Sequence, residues 1–199
     1  NSLSLTGKWA LITGAARRVG AEIATTLHAQ GAGIAIHYRG SADQAQRLAQ
    51  MLNERRPDSA LAVQADLVQT SQLGSLIDTV TAHAGRLDIL INNASSFYPT
   101  PLTSLTEQQW TDLIGTNLKA PLFLSQAVAP ALRASRGAIV NIVDIHAERP
   151  LRRYALYCAA KAGLAGLTRA LAMELAPEVR VNGVAPGPID WPEDEQFSP

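Results

Sequence analysis

Short aliphatic or β-branched runs alternate with longer segments of helical period along the chain, and few architectures accept that alternation. It is the pattern of βαβ units, in which parallel strands form a sheet covered by helices on both faces. The runs predict strands at Trp9 to Thr13, Gly33 to Tyr38, Ala60 to Ala65, Leu87 to Asn92, Ala138 to Val143 and Val179 to Ala185. Between the second and third runs, Ala45, Leu48, Ala49 and Leu52 recur at helical spacing behind Ser41 and Gln44, a pair that matches a capping box. Leu73, Leu76, Ile77 and Val80 form the next apolar stripe, closed by Gly85. Thr106 with Gln109 offers another helix start; Trp110, Leu113, Ile114 and Leu118 carry its stripe, and Pro121 is expected to kink it. A last helix rich in small residues runs from Tyr154 to Leu175 and is stopped by Pro177. The expectation is an α/β chain, a doubly wound parallel sheet in one domain spanning residues 1–199.

Composition narrows the partners. With 47% apolar and 17% charged residues the chain can bury a substantial core. Lys plus Arg and Asp plus Glu number 17 each and no basic stripe appears, which removes the electrostatic case for a nucleic-acid or anionic-membrane partner. Cys158 has no second cysteine to pair with, and no leader or bilayer-length apolar run is present, although the chain starts at Asn1 rather than Met. These features predict a reducing, cytoplasmic setting.

The first strand runs into Thr13-Gly14-Ala15-Ala16-Arg17-Arg18-Val19-Gly20. Glycines at a strand-to-helix turn let backbone approach a pyrophosphate held at the helix N-terminus, so a dinucleotide is the natural ligand. The middle position of the usual three-glycine pattern is Arg18, and an ordinary strand-to-helix turn reads similarly. The second strand ends in His37-Tyr38-Arg39-Gly40-Ser41, with no acid before Asp43. A carboxylate there selects NAD, whereas an arginine accommodates the 2′-phosphate of NADP, so NADPH is favoured. Arg39 as a solvated side chain and Ser41 as a plain N-cap are the competing readings.

Tyr157 and Lys161 are four residues apart, on one helical face, and Asp144 leaves a strand thirteen residues before the tyrosine. An ammonium beside a phenol favours the ionised phenol and readies it for proton exchange. Alone, such a pair is common and reads first as a buried tyrosine beside a solvated lysine.

The Thr13-Gly14 turn, Asn92-Asn93-Ala94 after the fourth strand, Asn117, Tyr157 with Lys161, and Pro186-Gly187 after the sixth strand together resemble the short-chain dehydrogenase/reductase family, which implies a Rossmann-like fold. Arg18 replaces a glycine, and Asp144 stands where most members carry a catalytic serine. Those departures, with the stretch Asn92 to Leu102 and His37 to Ser41, resemble the pteridine reductase branch.

The resemblance implies that Gly14, Arg18, Gly20, Tyr38, Arg39, Ser41, Asp66, Asn93, Ala94, Ser95, Lys161, Pro186 and Gly187 surround NADPH, with Asp66 on the adenine. It implies Tyr157 as proton donor, Lys161 as its pKa-lowering neighbour and ribose anchor, and Asn117 as a link in a water chain to that lysine. Asp144 would relay a proton, as suits reduction of a ring C=N. Phe97 would stack on a pterin or folate opposite the nicotinamide, and Arg18 and Ser95 would touch both cofactor phosphate and substrate. Phe97 as a loop-packing residue, Asp144 as a turn cap and Asn117 as a mid-helix polar residue are the plainer alternatives. Two other functions stay open. A carbonyl or 3-oxoacyl-thioester reductase expects serine at position 144, and a non-catalytic NADPH sensor has no need of Asn117, Tyr157 and Lys161 together. The resemblance also implies a homotetramer meeting through the helices at Thr106 to Arg133 and Tyr154 to Leu175. It further implies a seventh strand, so that a chain ending at Pro199, after Glu193-Asp194-Glu195, reads as C-terminally truncated with an open sheet edge.

Overall fold

The computed structural model describes residues 4–187. Within them six strands, β1 (Trp9–Ile12), β2 (Gly33–Tyr38), β3 (Ala60–Gln64), β4 (Ile89–Asn92), β5 (Ala138–Ile142) and β6 (Arg180–Val184), form one parallel sheet in the order β3-β2-β1-β4-β5-β6. The chain winds outward from β1 through β2 to β3, then crosses back to β4 on the other side of β1. That reversal opens a crevice at the carboxyl ends of β1 and β4, where doubly wound sheets bind ligands.

The pleat divides the strand residues between two cores. Leu11, Ala35, Leu90, Ile139 and Val181 face one side with residues of α3 (Leu73–Ala84), α5 (Ala120–Ser135) and α6 (Ala155–Leu175). Ala10, Ile12, Ile34, Ile36 and Ile91 face the other, under α1 (Arg18–Ala29) and α2 (Ala42–Arg55). Several strands are one or two residues shorter than their apolar runs. Thr13 leaves the strand because its hydroxyl turns to the loop after β4, and Asp88 precedes β4 with its carboxylate bound to the Trp9 amide.

Two helix expectations need correction. α2 begins after Ser41 as expected, yet the Ser41 side chain makes no cap hydrogen bond. Its backbone (φ −91°, ψ 57°) is not the extended geometry from which an N-cap side chain reaches the first turn. The capping box at Thr106 and Gln109, by contrast, is formed in both directions and starts α4 (Glu107–Ile114). Pro121 does not simply kink a long helix. α4 passes into a π turn, Gly115–Lys119, before α5 begins. Pro121 has no N–H for the carbonyl four residues back, and the ladder slips by one residue so that Ala120 N–H meets the Gly115 carbonyl. Gly85 closes α3 in the left-handed conformation at φ 72°.

Among the described residues no helix is long and apolar enough to cross a membrane. β6 is the last strand described on its edge of the sheet; the expected seventh strand and the run Glu193-Asp194-Glu195 lie outside the described residues.

Candidate active site

At the crevice between β1 and β4 the two loops interlock. The Thr13 hydroxyl accepts from the amides of Asn93 and Ala94, both at 2.9 Å, and Asn93 Nδ2 donates to the Thr13 and Gly14 carbonyls at 2.9 and 3.2 Å. Gly14 has φ 62°, and a Cβ on it would lie 2.9 Å from Ala94 Cα. A Cβ on Gly20 would lie 2.4 Å from the Gly14 carbonyl oxygen and 2.6 Å from Asn93 Nδ2. Both positions therefore exclude side chains, for backbone strain at the first and close packing at both. Arg18 opens α1 with φ 52°, a left-handed backbone carried by a non-glycine residue, and its side chain is exposed. His37, absent from the sequence-derived site, pins this turn from below. Its Nδ1 accepts from the Gly14 amide at 3.1 Å, so the ring proton sits on Nε2 and is donated to the Ala65 carbonyl, also at 3.1 Å. Burial lowers the ring's pKa to about 4, against smaller opposing effects of Ala65 and Asp66, and keeps it neutral.

The loops after β2 and β3 border the β2 side of the crevice. Tyr38 is half-buried at the end of β2; Arg39 is exposed, with Nη1 3.7 Å from the Asp112 carboxylate. Asp66 uses one carboxylate oxygen to hold the Val68 amide at 3.1 Å, which fixes the loop after β3. Pro186 and Gly187 follow β6 at the same end of the sheet, and the Pro186 carbonyl accepts from the Ile145 amide at 3.4 Å.

The acid and phenol meet at the carboxyl end of β5. The Tyr157 hydroxyl donates to Asp144 Oδ2 at 2.5 Å, within the range of about 2.5–2.7 Å found for charge-assisted O–H···O⁻ bonds. Asp144 Oδ1 accepts from the His146 amide at 2.8 Å and so caps the short turn Ile145–Ala147. One carboxylate thus serves both as turn cap and as phenol partner. Lys161, one helical turn beyond Tyr157, is 3% exposed; its ammonium donates to the Ile142 carbonyl at 2.8 Å and lies 5.7 Å from the Tyr157 ring centroid.

The electrostatics reverse one expectation. The phenol is not drawn down by the lysine: burial first, then the Asp144 hydrogen bond and charge, hold it well above its ordinary value, and a hydrogen bond with Ser95 opposes them only in part. Burial lowers the Lys161 ammonium to about 8, with Asp144 acting weakly the other way. The carboxylate, not the ammonium, is the phenol's immediate neighbour.

Asn117 ties the loop after β4 to the helix pair. In the π turn its Oδ1 accepts from the Ser95 hydroxyl at 2.6 Å, and its Nδ2 donates to the carbonyls of Ser96 and Leu113, each at 2.9 Å. Its side chain therefore holds the 95–96 loop, and through Ser95 it joins the phenol and Asp144. Phe97 follows that loop and is 42% exposed. Its ring stacks on Tyr154 (centroids 4.7 Å apart, planes 20°) and meets Tyr157 edge-on (4.7 Å, 76°). Sequence reasoning missed Tyr154; the signal was its position three residues before Tyr157, which sets both rings on one face of the helix start.

Comparison with known proteins identifies the family. The short chain dehydrogenase family model matches residues 8–198. The chain is 42% identical over 234 aligned positions to Pteridine reductase 1 of Leishmania tarentolae, covering 98% of this chain and 81% of that protein. It is 38% identical over 182 positions to the 3-oxoacyl-[acyl-carrier-protein] reductase FabG of Staphylococcus epidermidis, with 90% and 74% covered. A short-chain type dehydrogenase/reductase of Picea abies is 36% identical over 195 positions, with 93% and 72% covered. The chain belongs to the short chain dehydrogenase family of nicotinamide-dependent oxidoreductases, on its pteridine reductase branch.

Proposed function

We propose that this protein is an NADPH-dependent reductase of pterins, taking a dihydropterin, biopterin or folate towards the tetrahydro form. The observation that carries the proposal is the 2.5 Å bond between Tyr157 and a carboxylate at position 144. A serine hydroxyl is suited to polarising a carbonyl oxygen, as a 3-oxoacyl or other carbonyl reductase requires. A carboxylate can instead exchange a proton with solvent near neutral pH and refill the phenol after it has protonated a ring nitrogen.

The residues around the crevice suit a dinucleotide. Gly14 and Gly20 let the turn after β1 and the start of α1 pack tightly against Asn93 and Ala94, which sets the α1 N-terminus at the crevice where a pyrophosphate would lie. Arg39, with no acid at the end of β2, favours a 2′-phosphate, and Ser41 does not spend its hydroxyl on capping. Asp66 and Tyr38 flank the adenine side, Lys161 the nicotinamide ribose, and Pro186 and Gly187 the nicotinamide end. When bound, NADPH supplies the hydride; the chain supplies the proton and the orientation. Phe97 offers an exposed aromatic face beside Tyr157 for a flat fused heterocycle, and Arg18 borders the same mouth. Ser95, which donates to Asn117 Oδ1 and lies beside Tyr157, is placed to donate to the phenol oxygen once that oxygen has given up its proton. A homotetramer built through the long helices accords with the exposed Leu122 and Phe123 on α5, and a cytoplasmic location with the lone Cys158.

The test is a steady-state measurement of NADPH absorbance with dihydrobiopterin, folate, an acetoacetyl thioester and a simple ketone. The pterins should give the highest kcat/KM. No oxidation with any pterin in folded protein, or a higher value for the thioester, would overturn the proposal.

A further inference from the structure

Asp112 lies on α4 outside the reacting centre, yet three side chains around the site converge on it. Its Oδ1 accepts from the Ser96 hydroxyl at 3.2 Å and faces Arg39 Nη1 at 3.7 Å, and its carboxylate is hydrogen-bonded to the Tyr98 hydroxyl. Ser96 and Tyr98 are the two neighbours of Phe97, so one carboxylate grips the aromatic loop on both sides of the ring. The same helical face supplies Thr116, 3.5 Å from the Ser96 hydroxyl, and Asn117 on the Ser96 carbonyl. Arg39 comes from the far bank of the crevice, at the end of β2. Its guanidinium is mostly exposed and its pairing with Asp112 is loose, as suits a contact that can be exchanged for another anion.

We infer that Asp112 is a positioning residue: it sets the place of the Phe97 ring and, by sharing Arg39 with the cofactor's 2′-phosphate, couples that end of the cofactor to the substrate slot. The coupling rests on Arg39 reading the phosphate, whereas the anchoring of the loop does not. When Arg39 turns to a phosphate, Asp112 loses a cation and keeps its two hydroxyl donors, so the loop tightens on it. By reciprocity, a substrate seated against Phe97 tightens binding of the phosphorylated cofactor.

Amide hydrogen exchange of residues 95–98 tests both parts in the wild type, D112N and D112A, first without cofactor and then with saturating NADP⁺ or NAD⁺. Without cofactor, D112A should exchange about tenfold faster across 95–98, and D112N, which keeps an acceptor for both hydroxyls, should stay within about threefold of wild type. NADP⁺ should slow exchange there more than NAD⁺ does in the wild type, and that difference should vanish in D112N. D112A exchanging like wild type, or D112N as fast as D112A, would overturn the anchoring. Dissociation constants measured alongside separate the remaining outcomes. Equal constants for NADP⁺ and NAD⁺ would overturn the phosphate reading and the coupling with it. Unequal constants with no NADP⁺-specific slowing would overturn the coupling alone.

Discussion

Replacing Asp144 by asparagine removes one charge and almost no volume, which isolates the proton role from the structural one. Oδ1 of the new side chain still accepts from the His146 amide, so the turn Ile145–Ala147 keeps its cap. What is lost is the charged acceptor 2.5 Å from the Tyr157 hydroxyl. A hydrogen bond to a charged group is worth about 1.5–3 kcal/mol, or roughly one to two powers of ten in an equilibrium or rate. An amide also cannot carry a proton from solvent to the phenol, and a placed acid–base group contributes about 10²–10⁴ in rate. Asp144→Asn should therefore lower kcat for pterin reduction by about 10²–10⁴ while leaving the NADPH dissociation constant within about threefold. The phenol should fall towards its ordinary value, because the second of its two main upward influences is gone. The measurements are steady-state NADPH oxidation with a dihydropterin and fluorescence titration of NADPH, with circular dichroism as the folding control. A folded D144N protein whose kcat lies within about tenfold of wild type would refute the proton role of the carboxylate.

Lys161→Met should abolish turnover yet stabilise the cofactor-free protein by about 1–3 kcal/mol at pH 7, because burial lowers the ammonium from 10.5 to about 8 and that displacement opposes folding by about 3 kcal/mol. Between pH 8 and 10.5 the unfolded chain keeps a proton that the folded chain has released, so wild-type stability from this group rises across that window and the advantage of the variant shrinks. Urea unfolding at pH 7 and pH 10 measures it, and a variant less stable than wild type at pH 7 would contradict the reasoning. Arg39→Ala should weaken NADPH by about tenfold or more and NADH by less than about threefold, since a phosphate pairing is worth more than the exposed pair with Asp112. An equal loss for both cofactors, read by titration, would show that Arg39 does not read the phosphate.

The strands were legible because parallel strands buried on both faces are mostly aliphatic, as Ile34 to Ile36 and Ala138 to Val140 are. Their ends were less so, because Thr13 and Asp88 turn polar side chains onto backbone groups about 80 residues away. The capping box read at Thr106 forms and the one read at Ser41 does not, since backbone angles as well as residue types decide whether a hydroxyl reaches the first turn. The π turn escaped because a proline acts on the turn before it, and the widened stretch Gly115–Lys119 has no composition of its own. At the site, Asp144, Tyr157 and Lys161 could be picked out by type and order. The direction of the phenol's displacement could not, because it depends on burial and on which charge is nearer in space. Asp112, Tyr154 and His37 were passed over for a related reason. On sequence they read as a surface acid, a helix-start aromatic and a strand residue, and only their three-dimensional neighbours give them a part in the site.

The bond from the Ala94 amide to the Thr13 hydroxyl spans 81 residues. A growing or unfolded chain therefore has no nucleotide cradle until its β4 loop has docked beside β1, however well the first βαβ unit has formed. Such long-range closure is slow and comes after local helix formation. Binding competence should then appear as a late event during folding, and a segment ending before Ala94 should retain secondary structure without any grip on a dinucleotide.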